Sequence, residues 1–228
     1  MSRLKALMSF FDEREIDFMI KISREIESSK LDLPVFYAGS GGDVEHALIL
    51  GDRLVFVDSH LPEVTLSEIR RKIIRIGGKI LEEKKFGRLG KGGKHVLRFE
   101  FQGEVELTYY AEDVMRILER PPNELKEGCS VYFVKVPHPK EPNVKSLNSP
   151  ELLSKALKLI VVGGYYLERE CPICRVLDPN VLGFKRVASG YISALSIHKA
   201  EGNLYKKFKD VEDIEDLLRL DLSLCKLL

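Results

Sequence analysis

Over residues 3–29, Met8, Phe11, Ile16, Met19, Ile20, Ile22 and Ile26 recur at helical spacing and predict a mostly helical segment. Ser9 or Asp12 marks a break and restart within it, and Pro34 closes it, because the residue before a proline is driven out of helical geometry. Val35–Ala38 and Leu54–Val57 are short apolar runs without alternation, as expected of strands buried on both faces. Between them Asp43–Leu50 has helical character, with Val44, Ala47 and Leu48 facing inward. Thr65–Ile76 reads as a helix opened by a capping box, Thr65 with Glu68. Lys79–Glu82 reads as a short strand, and His95–Phe101 with Val105–Tyr109 as a hairpin or two adjacent strands.

Ala111–Arg120 is a short helix stopped by Pro121 and Pro122, and Ser130–Val136 is a further strand. Ser149 as cap and Pro150 at the first position predict a helix to Leu159. Leu159–Val162 is either the end of that helix or the start of a strand running on through Leu167. Phe184–Ala188 and Tyr191–Ile197, joined by Ser189-Gly190, predict a closing antiparallel pair. Residues 209–220 carry Val211, Ile214, Leu217 and Leu218 on one helical face. The expected organisation is an α/β domain over residues 31–200, a helical segment 1–30 before it, and a helical tail 201–228 packed on it.

Composition narrows the classes. At 228 residues, 44% hydrophobic and 31% charged, the chain is globular rather than disordered. It is long enough to bury about 70% of its unfolded surface without a staple. A formal net charge of +1 gives no general pull on nucleic acid or on an anionic membrane. The apolar runs are too short to span a bilayer, and residues 1–30 hold no signal-peptide block, so the expected location is cytoplasmic. A single glutamine, Gln102, beside abundant Lys, Glu and Ile leans toward a thermophilic source. Cys171-Pro-Ile-Cys174 is half of a zinc pattern without a second half, and Cys129 and Cys225 stand alone, so no metal site is expected.

The chemistry concentrates at Gly39-Ser40-Gly41-Gly42. Glycines at a strand end allow positive φ and let a ligand approach the backbone. Asp58 ends the next strand, where an acid can accept hydrogen bonds from ribose hydroxyls. Strand, glycine loop, helix, strand and acid, in that order, open a nucleotide-binding unit of a Rossmann-like sheet. The loop is neither GxGxxG nor the phosphate-loop pattern, and Asp43 beside it repels a pyrophosphate.

With these pieces the chain resembles the class I S-adenosylmethionine-dependent methyltransferases over roughly residues 30–200. The resemblance implies a Rossmann-like, mostly parallel seven-stranded sheet flanked by helices, its last strand inserted antiparallel near the C-terminus. It implies that Gly39, Ser40, Gly41, Gly42 and Asp58 hold S-adenosylmethionine. Val105–Asp113 becomes the third strand and the loop near the adenine, with Glu112 and Asp113 as contacts to the adenine amino group. Cys129–Val136 becomes the fourth strand, and Pro137-His138-Pro139 lies where the methyl group meets its acceptor. In two places the sequence departs from the family: Tyr37 stands where the family has an acid, and Asp43 where it has glycine.

Methyl transfer needs alignment and, for some acceptors, removal of a proton. His138 is the candidate proton acceptor, His60 a candidate lining residue, and His46 is expected to pack or bond locally. Lys84, Lys85, Arg88, Lys91 and Lys94 form a glycine-spaced basic stretch, read as a solvated loop because no aromatic interleaving accompanies it. A small-molecule acceptor is therefore expected over RNA. No membrane association is expected, and a homodimer through an unpaired helix face is open. Two further readings are a methyltransferase-like binding or structural protein without catalysis, and a nicotinamide-dependent oxidoreductase.

Overall fold

The computed structural model describes residues 3–59, 61–87, 93–135, 149–169, 178–192 and 200–225. The chain opens with α1 (Arg3–Leu7), a single tight turn Met8–Phe10, and α2 (Glu13–Ser29). Asp12 makes the restart: its backbone is extended and its carboxylate accepts the Arg14 amide, satisfying one of the helix's first unpaired donors. Phe18, Met19 and Ile22 form the buried stripe of α2.

Among the described residues nine strands follow: β1 (Val35–Ala38), β2 (Arg53–Val57), β3 (Lys79–Phe86), β4 (Lys94–Glu100), β5 (Glu104–Tyr110), β6 (Cys129–Lys135), β7 (Ile160–Arg169), β8 (Phe184–Ile192) and β9 (Ala200–Lys207). They make one sheet in the order β3-β4-β5-β2-β1-β6-β7-β9-β8. From β5 through β2, β1 and β6 to β7 every pairing is parallel. β3–β4, β4–β5, β7–β9 and β8–β9 are antiparallel. The expectation of seven strands is corrected to nine, because residues 79–100 form two full strands of a meander that leads into β5. The last strand, β9, is reversed and inserted between β7 and β8, as β4 is reversed between β3 and β5.

The remaining α-helices among the described residues are α3 (Val44–Leu50), α4 (Pro62–Arg75), α5 (Val114–Glu119), α6 (Pro150–Leu159) and α7 (Ile214–Cys225). Because β1 is buried on both faces, its successive side chains feed two cores. Tyr37 joins Phe18, Ile22, Val44, Leu48, Leu66 and Ile69 under α2, α3 and α4. Phe36 joins Val55, Tyr132, Val114, Leu153, Leu157 and Leu218 under α5, α6 and α7. Each such side chain contributes about 1.5–3 kcal/mol by burial.

Two local expectations are overturned. α4 begins at Pro62, preset for a first helical turn, with Leu61 left-handed at φ 41° before it, so Thr65 lies inside the helix and buried. Ser189-Gly190 is not a turn: β8 runs unbroken through it, and Gly190 faces Gly202 of β9. A Cβ at Gly190 would stand 2.5 Å from the Phe18 Cβ, and one at Gly202 2.5 Å from Phe18 Cε1. The two glycines form a dimple that seats α2 on the sheet. The sheet thus takes in residues on both sides of position 200.

Candidate functional site

β1 is the switch point of the sheet, with β2 on one side and β6 on the other. In open α/β sheets a ligand crevice forms outside the carboxyl ends of the strands at such a point. The glycine loop sits there. Gly39 and Gly41 take φ 62° and 50°, the left-handed region that disfavours a side chain by roughly 1–2 kcal/mol. The Gly39 amide donates to the Val57 carbonyl at 2.9 Å, and the Gly41 amide to Asp58 Oδ2 at 2.9 Å. The expected acid and the expected loop are therefore joined by one hydrogen bond. The Asp58 carbonyl accepts the Tyr109 hydroxyl at 3.1 Å. Burial, then the nearby Asp58 charge, pushes the Tyr109 phenol well above its usual range, so it stays a neutral donor.

The loop fits an adenosyl cofactor in three respects. A Cβ on Gly41 would meet nothing within 4 Å, so that side of the loop is open. Ser40 Oγ is buried and has no hydrogen-bond partner among the described residues. Asp58 presents a half-buried carboxylate at the loop. Gly42 is confined for another reason: a Cβ there would stand 2.8 Å from Glu68 Cδ of α4.

Asp43 corrects an expectation. It does not face a ligand pyrophosphate but turns beneath the loop, where it is buried. Its Oδ2 accepts the Tyr37 hydroxyl at 2.7 Å, and its Oδ1 lies 2.7 Å from His46 Nδ1. His46 Nε2 lies 2.6 Å from Oε1 of Glu15, which α2 delivers into the core fully buried. His46 makes the local bond expected of it. The partnership with Glu15 was not legible, since 31 residues separate the two.

Glu112 and Asp113 stand just past the end of β5, at the same sheet edge. Asp113 caps α5, accepting the Met115 amide at 2.8 Å, and Glu112 Oε1 accepts the Asp113 amide at 3.0 Å and meets Arg116 at 3.3 Å. His138, His60, Arg88, Lys91, Cys171 and Cys174 lie outside the described residues. Of the basic stretch, Lys84 pairs with Glu82 and Lys94 with Glu124, so both are neutralised locally. The Cys129 thiol is buried and its ionisation suppressed by that burial. Among the described residues no three His, Cys, Asp or Glu side chains gather to hold a metal.

One polar pair escaped the sequence reading. Ala38, Val134, Glu168 and Asn203 lie in one row across β1, β6, β7 and β9. Glu168 and Asn203 are both buried, and Glu168 Oε1 accepts the Tyr205 hydroxyl at 3.1 Å. Neither amide atom of Asn203 has a hydrogen-bond partner among the described residues. Glu168 at the end of an apolar run was a usable signal. Asn203 was hidden in the segment read as helical tail.

No family model matches the chain, and no curated protein matches it. Solved structures resemble it loosely. TrmN from Thermus thermophilus superposes with a TM-score of 0.48 at 14% identity, over 83% of this chain and 49% of that one, so the chain spans about half of TrmN's length. An rRNA methylase from Streptococcus thermophilus gives 0.48 at 10% identity, over 87% and 98%. The N-methyltransferase NodS from Bradyrhizobium japonicum, solved with S-adenosyl-L-homocysteine, gives 0.48 at 10%, over 92% and 100%.

Proposed function

We propose that the protein binds S-adenosylmethionine at the β1 switch point and transfers its methyl group to an acceptor, a small molecule in preference to RNA. The observation that carries this reading is the 2.9 Å bond from the Gly41 amide to Asp58 Oδ2, which brings the ribose acid onto the glycine loop. A carboxylate accepts up to about four hydrogen bonds, so Asp58 can steady the loop and take hydroxyl donors as well. In this reading Gly39, Ser40, Gly41 and Gly42 receive the aminoacyl end, and Glu112 and Asp113 stand toward the adenine. When bound, the cofactor supplies a sulfonium-activated methyl group. The protein contributes alignment, exclusion of water and, at His138, a base for acceptors that must lose a proton.

Calorimetric titration with S-adenosylmethionine and S-adenosylhomocysteine tests this. Saturable binding that weakens about tenfold or more in Asp58→Asn, equivalent to about 1.4 kcal/mol, is expected. Heat from NADH instead would transfer the site to a nicotinamide. Silence with all three ligands, and no thermal shift, would remove the cofactor assignment.

A second reading, binding without catalysis, draws on the Tyr37–Asp43 bond. It occupies the two positions where this chain departs from the methyltransferase pattern. Cofactor binding with no turnover across an acceptor panel would favour it.

A further inference from the structure

Tyr37, Asp43, His46 and Glu15 form a continuous buried chain from β1, through the end of the glycine loop, to α2. All four residues are less than a tenth exposed. Both imidazole nitrogens of His46 face carboxylate oxygens, at 2.7 Å toward Asp43 and 2.6 Å toward Glu15. A neutral imidazole has one N–H and one lone pair. With a single ring proton and two ionised carboxylates, one of these contacts would oppose lone pair to lone pair. The chain therefore holds one more proton than neutral histidine between two carboxylates. Phe11, with its ring centroid 5.1 Å from that of His46, and Phe133, at 6.3 Å, wall the imidazole. That apolar setting strengthens each hydrogen bond and makes an unmatched charge costly.

We propose that His46 is a positioning residue for the glycine loop, a doubly protonated clasp that fixes Asp43 from below and makes α2 part of the cofactor site. The consequence for cofactor affinity rests on the reading of the function given above; the clasp itself does not. The mechanical link is short. The Asp43 amide donates to the Ser40 carbonyl at 3.1 Å, and this closes the turn that aims the Gly41 amide at Asp58. Asp43 held on two sides fixes the turn. Released, its carboxylate is left buried without its cation and the turn opens.

The test uses the full-length protein in two steps. Long-range proton–nitrogen spectra should show both His46 ring nitrogens protonated in the free protein; one nitrogen with an unprotonated signature would overturn the proposal. Amide exchange is then compared between wild type, His46→Gln and Tyr37→Phe. The clasp predicts that Gly41 and Asp43 exchange at least about tenfold faster in His46→Gln. Leu97 and Leu107, in the β4–β5 ladder, should accelerate less, by no more than the loss of global stability. Equal acceleration everywhere, or none at the loop, would reduce His46 to an ordinary core residue. If His46→Gln does not fold, Tyr37→Phe carries the comparison, with Gly41 and Asp43 accelerated beyond the common factor that its lower stability imposes on Leu97 and Leu107. S-adenosylhomocysteine affinity should fall in parallel with loop protection. If wild type binds no cofactor while both loop readouts hold, the functional reading fails and the clasp stands.

Discussion

Asp43 shows how far one residue's chemistry depends on its direction. In the sequence it is a negative charge beside a presumed anion loop. In the fold it is buried and shared by a phenol and an imidazole. Tyr37→Phe removes a hydroxyl donor to a buried carboxylate and is expected to lower stability by about 1.5–3 kcal/mol in urea unfolding. Asn203 predicts the opposite sign, because its amide is buried with no partner among the described residues. Asn203→Leu should leave stability unchanged or raise it by about 1–3 kcal/mol; a large loss in the same measurement would show that the amide is satisfied. His95 sets an acid limit. It is buried on β4, and desolvation, then Lys85, lowers its pKa below the ordinary 6.5. The folded state therefore binds fewer protons there than the unfolded state, and stability falls as pH drops through about 6.5. His95→Gln should flatten the melting-temperature profile between about pH 7 and 5.

Elements with their own punctuation were legible. Asp12, Ser149 and Pro150 announced helix starts, and the unbroken apolar runs of β1 and β2 announced doubly buried strands. Elements whose residues serve distant partners were not. Gly190 reads as a turn in isolation, yet it is a strand residue whose missing Cβ admits Phe18, a contact no local pattern contains. Gly190→Ala should therefore displace α2 and cost about 1–3 kcal/mol by overpacking, and Gly202→Ala likewise. The double variant should cost less than the sum, since both act on the same ring. Thermal unfolding of the three variants checks this. The strand predicted over Lys79–Glu82 stops short of β3 because Glu83, Lys84 and Lys85 look like loop, whereas such charges suit an exposed edge strand.

For the whole molecule, the βαβ opening at 35–58 was readable because strand, loop, helix, strand and acid are consecutive. The order of the remaining strands depends on non-local pairing. The pairing of β3 with β4 appears only in three dimensions, and the reversed last strand that the resemblance implied falls on residues 200–207, read as the start of a helical tail. Of the candidate site, Gly39, Gly41 and Asp58 were found from the sequence and are brought together. Glu15 was missed because helix periodicity treats a carboxylate as a solvent-facing position. Among the described residues no helix is long and apolar enough to cross a membrane. The central claim is that the loop at the head of β1 and the acid at the end of β2 form one cofactor site. A crystal structure grown with S-adenosylhomocysteine tests it most directly. The account predicts the ligand over Gly39–Gly42, with its ribose hydroxyls on the Asp58 carboxylate. Ligand bound elsewhere, or no ligand over the loop at saturating concentration, would contradict it.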